Sequence, residues 1–285
     1  MKRLLCLLLC LLFSCAAFAG NAWEFSKHVE RSVVVTGTIE VNPDGSVHGY
    51  TIDNQDKLMP EVVQVIGKTV PTWKFQSIIT DGKPAMAKAV MSIRVVADRM
   101  EGDQYALSVR GACFSDDEPD TSPSYKDQAP LPDYPKEALE ARVGGTVYLA
   151  ALLTSQGTVE KVEAVQVDLR AIGPESLMAP LRKDLAQASI EAIKAYTFNM
   201  PKSGQEMDAD HRTIRIPVDY EIANGSVPPK HEYGQWDAYV PGPIEPIVWL
   251  RQDEQVTNGS ADAIPNGLAF QGDQRFVLLN PPGNG

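Results

Sequence analysis

The side chains that could do chemistry are scattered along this sequence rather than gathered into a motif. The four histidines are far apart and none has the spacing that binds zinc; they are His28, His48, His211 and His231. Asp208 and Asp210 lie beside His211, but a charged loop before a strand explains that group as well as acid–base chemistry does. There is no Gly-x-Ser-x-Gly nucleophile motif, phosphate-binding glycine loop or dinucleotide fingerprint. We therefore expect a protein that is not an enzyme and that holds no metal or cofactor.

The elements that would position a binding site lie between residues 134 and 222. Apolar and polar residues alternate in segments 145–154 and 213–222, which is typical of half-buried strands. Gly157 provides a turn after the first segment, and a long helical segment precedes the second. This order predicts an α+β fold, in which an antiparallel sheet carries a helix on one face. The helical stripe expected to lie on the sheet is Leu181, Leu185, Ala188, Ala192 and Tyr196.

This arrangement resembles the C-terminal domain of the TonB energy transducers. The shared features are a Tyr-Pro opening, a glycine twelve residues before a turn glycine (Gly145 and Gly157), an aromatic-x-Phe exit from the helix at 196–198, and an alternating last strand. The resemblance covers residues 134–222 and implies binding by strand addition, in which an extended segment of an outer-membrane receptor pairs with the last strand. It implies partner-binding residues at the opening and along that strand, namely Tyr134, Pro135, Thr213, Arg215, Pro217 and Asp219.

A weaker copy of the same pattern occupies residues 30–100. Predicted strands at 33–41 and 46–52 flank a turn that ends at Gly45, and a helix opens at Pro60. The segment Trp73-Lys74-Phe75 corresponds to the aromatic exit of the second copy, and the last strand is expected at 88–97. We therefore expect two tandem strand-strand-helix-strand units. Trp73 and Phe198 should be buried where helix meets sheet.

Residues 1–19 have the features of a secretory signal, with basic Lys2 and Arg3, a short apolar run, and a small-x-small site at 17–19. The apolar run is too short to span a membrane. The mature chain is therefore expected to be periplasmic or secreted, the alternative being a lipoprotein modified at Cys15. Removing Lys2 and Arg3 from the 26 basic residues leaves 24 against 37 acidic residues, a net charge of −13. That charge argues against binding to nucleic acid or to anionic membrane surfaces.

Composition divides the mature chain into four segments. Residues 20–114 form the N-terminal unit, and residues 134–223 form the TonB C-terminal-like domain. Between them, residues 115–133 are acidic and proline-rich, which predicts an extended linker. Residues 224–285 form a proline- and glycine-rich tail that retains large apolar side chains, so we expect it to dock on the body as an extended arm. The stretch 247–250 is the best candidate to lie against an edge or face.

Cys113 is the single cysteine of the mature chain, which excludes an internal disulfide. A small buried hydrophobe at the end of a strand is the favoured interpretation. An intermolecular disulfide is the alternative.

Two functions of different class fit the sequence. One is a periplasmic adaptor that binds extended segments of envelope or outer-membrane transport proteins. The other is a structural envelope protein whose strand edges are covered internally, without transport coupling. Three departures argue against full transducer function: a cleavable signal replaces the N-terminal helix of the transducers, the linker is short and acidic, and about 60 residues follow the domain. Pro217 also removes one N–H from the predicted edge, which either blunts strand pairing or fixes which side of the strand is used.

Overall fold

The computed structural model describes residues 28–100, 102, 104–117, 121–127, 132–202, 210–222, 232–250, 261–265, 267 and 269–282, so the predicted signal at 1–19 lies outside the described residues. The predicted α+β class is confirmed: most strands are antiparallel and helices are few. In chain order the main elements are β1 (Glu30–Val41), β2 (Val47–Ile52), α1 (Pro60–Thr69), β3 (Ala87–Arg99), β4 (Tyr105–Asp116), α2 (Lys136–Glu140), β5 (Gly145–Thr154), β6 (Val159–Leu169), α3 (Glu175–Lys194), β7 (His211–Tyr220) and β8 (Asp237–Tyr239). Short 3₁₀ turns lie at Gln55–Lys57, Val70–Thr72 and Ala261–Ala263, and two-residue strands lie at Ile79–Thr80, Lys83–Pro84, Ser124–Tyr125 and Phe198–Asn199.

The first sheet has β3 at its centre, between β1 and β4. The outer edge of β1 is shared, because its second half pairs with β2 and its residues 30–32 pair with β8. Alternate side chains of these strands point to α1, as the period of two requires. They form one core with α1, which includes Val33, Val35, Ile39, Val62, Ile66, Met91, Ile93 and Phe114. Trp73 belongs to this core and is buried, as predicted.

The second sheet has the order β7-β5-β6 and carries α3 on one face. The predicted stripe of α3 is only partly right, because the buried residues are Met178, Arg182, Leu185, Ser189 and Ile193. Arg182 is accommodated because its guanidinium donates to the Glu175 carboxylate and to a backbone carbonyl of β6. The Ser189 hydroxyl likewise donates to the Leu185 carbonyl at 2.8 Å. Phe198 is buried beside this helix, as predicted.

The hairpin turns of the two units have the same geometry. Gly45 and Gly157 have φ of 78° and 80°, in the left-handed region that favours glycine. The N–H of Phe75 donates to the Gly45 carbonyl, and that of Phe198 to the Gly157 carbonyl, both at 2.8 Å. A Cβ on either glycine would lie 2.0 Å from the carbonyl oxygen of the same phenylalanine. Each turn is therefore held against its aromatic exit at a distance that only glycine allows.

Two features differ from the sequence predictions. The N-terminal unit has one strand more than predicted, because β4 covers the side of β3 that would otherwise be open. The strand β4 runs to Asp116, inside the predicted linker. Further along that linker, the ring of Tyr125 packs against Tyr196 and Phe198, and Ser124–Tyr125 pairs with Phe198–Asn199. The segment is thus partly built into the second unit, because Tyr125 provides apolar surface that is removed from water there.

The sheet faces that carry no helix lie toward each other. Arg94 on β3 is close enough to Tyr148 on β5 for the guanidinium and the phenol to interact electrostatically. The 3₁₀ turn Ala261–Ala263 contacts β3, β4 and β7, so this part of the tail lies between the sheets. The described chain therefore has four layers in the order helix, sheet, sheet, helix. Cys113 lies buried in this central region, as the favoured interpretation predicted.

The tail joins the two sheets at both sides of this stack. On one side β8 pairs with β1, and the next residue, Val240, pairs with Leu169 of β6. On the other side Phe270 pairs with Arg215 of β7, and the N–H of Asp273 donates to a carbonyl of β4. The described parts of the tail are accordingly a structural component of the stack.

Candidate functional site

The predicted partner-binding edge is that of β7. This strand pairs with β5 along its whole length, so every second residue of β7 directs its backbone groups away from the sheet. The four predicted residues of this strand share that outward register; they are Thr213, Arg215, Pro217 and Asp219. Pro217 has no N–H and interrupts the row of donors.

The sequence suggested that the side chains of Arg215 and Asp219 point outward. In the structure both side chains point into the folded chain. Arg215 is only 7% exposed, because the second sheet stacks on the first through the face that holds this side chain. Asp219 is half-buried and accepts a hydrogen bond from the Thr146 hydroxyl at 2.9 Å. Its carboxylate also pairs with Arg170 at 2.7 Å. Both side chains therefore serve internal contacts.

The Tyr-Pro opening lies at the far end of β7. The hydroxyl of Tyr134 donates to the Val143 carbonyl at 2.8 Å, and its ring meets that of Tyr220 edge to face at 5.3 Å. Pro135 is the residue that precedes α2. The structure thus brings Tyr134 close to the Asp219 end of β7, whereas Thr213 lies roughly 20 Å away along the strand.

A tail residue occupies the middle of this edge. The N–H of Arg215 donates to the Phe270 carbonyl at 2.7 Å, and the N–H of Phe270 donates to the Arg215 carbonyl at 2.8 Å. Such an exchange of two bonds is the repeating unit of an antiparallel ladder. The edge of β7 therefore already accepts an extended segment through its backbone.

The edge of β6 is covered in the same manner. Leu169 and Val240 exchange two backbone hydrogen bonds, of 3.1 and 2.8 Å, and Glu245 donates to the Val165 carbonyl at 2.7 Å. Beyond this point the tail crosses the sheet face, where Ile247 and Leu250 are buried against Ala150 and Val165. The segment 247–250 thus lies against a face, one of the two positions that the sequence suggested.

Two segments of the tail, residues 232–250 (the first tail segment) and residues 261–265, contact the same buried cation, the guanidinium of Arg94. Arg94 is 6% exposed and donates to the Tyr239 hydroxyl at 3.1 Å. It forms ion pairs with Glu30 and, at 3.2 Å, with Asp262. Burial by itself lowers the pKa of Arg94, but Asp262 and Tyr239 outweigh that effect and the pKa is raised. Desolvation, only partly offset by Arg94, raises the pKa of Tyr239 to about 12. Arg94 therefore stays charged and holds both segments between the sheets.

A buried carboxyl lies near this cation. Asp168 is 2% exposed; its Oδ1 accepts hydrogen bonds from the Gln166 amide and the Gly242 N–H, while its Oδ2 has no partner among the residues that the structure describes. Desolvation, together with the nearby Asp262, raises the pKa of Asp168 to about 7, although the two hydrogen bonds and Arg94 act to lower it. The carboxyl is therefore partly protonated near neutral pH.

Arg170 ties the first tail segment to the second sheet. Its guanidinium donates to both carboxylate oxygens of Asp237 at 3.0 and 2.8 Å and pairs with Asp219 at 2.7 Å. Such forked pairs between arginine and carboxylate are among the stronger polar contacts in proteins. Arg170 thus links β6, β7 and β8.

Comparison with protein-family models, with curated proteins and with solved structures finds no match for this chain. In the described part of the chain, no three histidine, cysteine, aspartate or glutamate side chains are grouped so that they could hold a metal ion. No described helix is long and apolar enough to cross a membrane. The candidate site is therefore at the outer edges of the second sheet, where β6 and β7 each pair with an extended segment of the tail.

The sequence did not identify the polar residues that join the sheets to each other or to the tail, which are Arg94, Asp168, Arg170, Asp237 and Asp262. One signal could have found the stacked faces. Residues 147–153 of β5 are apolar at every position, and β5 is buried at eight of its ten positions. Such continuous apolar runs are typical of strands that are covered on both faces.

Proposed function

We propose that this chain is a periplasmic, non-catalytic adaptor related to the TonB energy transducers. It binds extended segments of envelope or outer-membrane transport proteins by adding them as a strand at the edge of β7. One observation carries this proposal: Arg215 and Phe270 exchange two backbone hydrogen bonds at that edge. An edge that pairs with an extended segment of its own chain has the geometry to pair with one from a partner.

The tandem relationship of the two units is supported by the repeated turn geometry. The contacts of Gly45 with Phe75 and of Gly157 with Phe198 agree in hydrogen-bond length, in φ and in the 2.0 Å approach. We therefore interpret residues 20–114 and 134–223 as tandem units of one origin, the first extended by β4.

A photo-crosslinking experiment tests the adaptor function. A photoreactive amino acid replaces Thr213 on β7, and a matched variant carries it at Gln187, an exposed position of α3. Both variants are expressed in the periplasm of a bacterial host and the adducts are sequenced by mass spectrometry. We expect the Thr213 variant to form adducts with extended segments of envelope proteins at several times the yield of the Gln187 variant. Equal yields from both positions would argue against binding at β7.

The second candidate is a structural protein whose edges are covered internally. It is favoured by the contacts of the tail with an outer strand at each side of the stack, at Leu169 and at Arg215. In that case the Thr213 variant would crosslink only to the tail of the same chain. The same experiment therefore separates the two candidates.

A further inference from the structure

The part of the tail that reaches β7 is residues 261–265 and 269–273, which we call the strap. Its Asp262 pairs with Arg94, and its Ala263 carbonyl accepts a hydrogen bond of 2.5 Å from the Ser92 hydroxyl. Phe270 then makes the backbone pair with Arg215. The strap thus occupies the edge at which the proposed partner would be added.

The strap is bound less extensively than the first tail segment. The strap has one residue pair with β7 and one further backbone bond, from the Asp273 N–H to β4, whereas β8 forms a three-residue ladder with β1 and Val240 adds a pair with Leu169. The first segment also has the forked ion pair between Asp237 and Arg170. The strap would therefore lose fewer backbone pairs on leaving the body than the first tail segment would.

Departure of the strap would not leave Arg94 without partners. Glu30 and the Tyr239 hydroxyl both remain on the body with the first tail segment and still contact the guanidinium. A buried cation that lost all its partners would make such a step very costly. This arrangement allows Asp262 to leave and an equivalent carboxylate to take its place.

We propose, building on the adaptor function above, that the strap is an autoinhibitory occupant of β7 and that a partner's extended segment replaces it. The partner segment has the chemistry of the strap: an acidic residue that pairs with Arg94, and an aromatic residue at the position of Phe270 whose backbone pairs with Arg215. Apolar residues between them cover Cys113, as Ala263 and Ile264 do. Binding then requires exchange of one such segment for another.

Cys113 provides a direct reporter of this exchange. The thiol is 1% exposed and its buried apolar contacts are with strap residues, namely Ala263, Ile264 and Phe270. Burial raises the pKa of the Cys113 thiol to about 12, which suppresses the reactive thiolate while the strap is in place. Alkylation by N-ethylmaleimide should therefore follow the fraction of molecules in which the strap has left.

The test uses the full chain and a fluorescent synthetic peptide with the sequence of residues 261–273. The variants are Asp262→Asn, the double variant Asp262→Asn with Phe270→Ala, and Leu279→Ala as a control at an exposed tail position outside the strap. Peptide affinity is measured by anisotropy, and alkylation at Cys113 by mass spectrometry of proteolytic fragments. If circular dichroism shows that the double variant is unfolded, Asp262→Asn alone is used.

We expect the double variant to bind the peptide at least about tenfold more tightly than the wild type, and Leu279→Ala to bind like the wild type. Alkylation of Cys113 should rise in the double variant and fall again when peptide is added. If wild type and double variant bind the peptide equally, β7 does not require departure of the strap; this inference fails and the adaptor function stands. If no variant binds the peptide, both the adaptor function and this inference fail.

Discussion

At the scale of single residues, two glycines carry the same structural role. Gly45 and Gly157 each have a positive φ and each would place a Cβ 2.0 Å from a phenylalanine carbonyl. Gly49 has neither feature, since nothing lies within 4 Å of its Cβ position. The two turn glycines therefore differ from Gly49 in both steric space and backbone conformation.

Alanine at either turn should lower the free energy of unfolding by at least about 2 kcal/mol, because the strain of a left-handed alanine adds to the clash. Gly49→Ala should change it by less than about 1 kcal/mol. Urea denaturation of the three variants measures these values. A Gly157→Ala variant as stable as Gly49→Ala would show that the turn does not need glycine.

Asp168 should make stability depend on pH. Its folded pKa of about 7 lies above its ordinary value of 3.8, so between pH 4 and 7 the folded chain binds more protons than the unfolded chain. The contribution of this group to stability is therefore fully present at low pH and is lost as pH rises toward 7. The charged and titratable groups around the carboxyl are Arg94, Tyr148, Tyr239 and Asp262.

Asp168→Asn removes this titration and keeps an acceptor for Gln166 and Gly242. Between pH 4 and pH 8 the free energy of unfolding of the wild type should fall by about 2–4 kcal/mol more than that of the variant. Denaturation of both proteins at the two pH values measures the difference. Parallel stability profiles would mean that Asp168 is ionised in the folded chain throughout this range.

At the scale of elements, the tail pairs with β6 through Val240. The N–H of Val240 donates to the carbonyl of Leu169, a residue with 0% exposure. Val240→Pro removes that donor and leaves a buried carbonyl unpaired, which should cost about 1–3 kcal/mol more than Val240→Ala. Chemical denaturation of the two variants provides the comparison. Equal free energies of unfolding would indicate that this contact does not fasten the tail.

The long elements could be predicted from sequence because their patterns are strong. Alternation identified β1, β5 and β7, and proline and glycine marked the start of α1 and both turns. β8 has only three residues, too few for a pattern, and pairs because the edge of β1 is open there. Arg182 and Ser189 are polar residues inside the buried stripe of α3, where their hydrogen bonds override the expected apolar periodicity.

At the scale of the whole molecule, the stacking of the two sheets decides where the candidate site lies. Arg215 alternates with apolar residues, and alternation alone cannot distinguish a solvent-facing side chain from one that faces a second sheet. The sequence therefore predicted the strand and the residues that share each of its faces, but placed Arg215 in solvent. Its burial depends on the first sheet and on the tail, which are far from it in sequence and meet it only in the folded chain.

The most direct test of strand addition at β7 is hydrogen exchange at the Arg215 amide. That N–H donates to Phe270, whereas the amides of Ile214 and Ile216 face β5. A Phe270→Pro variant keeps the carbonyl that accepts from Arg215 but cannot donate to the Arg215 carbonyl, so one of the two bonds of the pair is lost and the segment is released more easily. In this variant we expect the Arg215 amide to exchange at least about tenfold faster than in the wild type, with Ile214 and Ile216 unchanged. The added peptide of residues 261–273 should restore slow exchange at Arg215. Exchange at Arg215 that is unaffected by both the variant and the peptide would contradict strand addition at this edge.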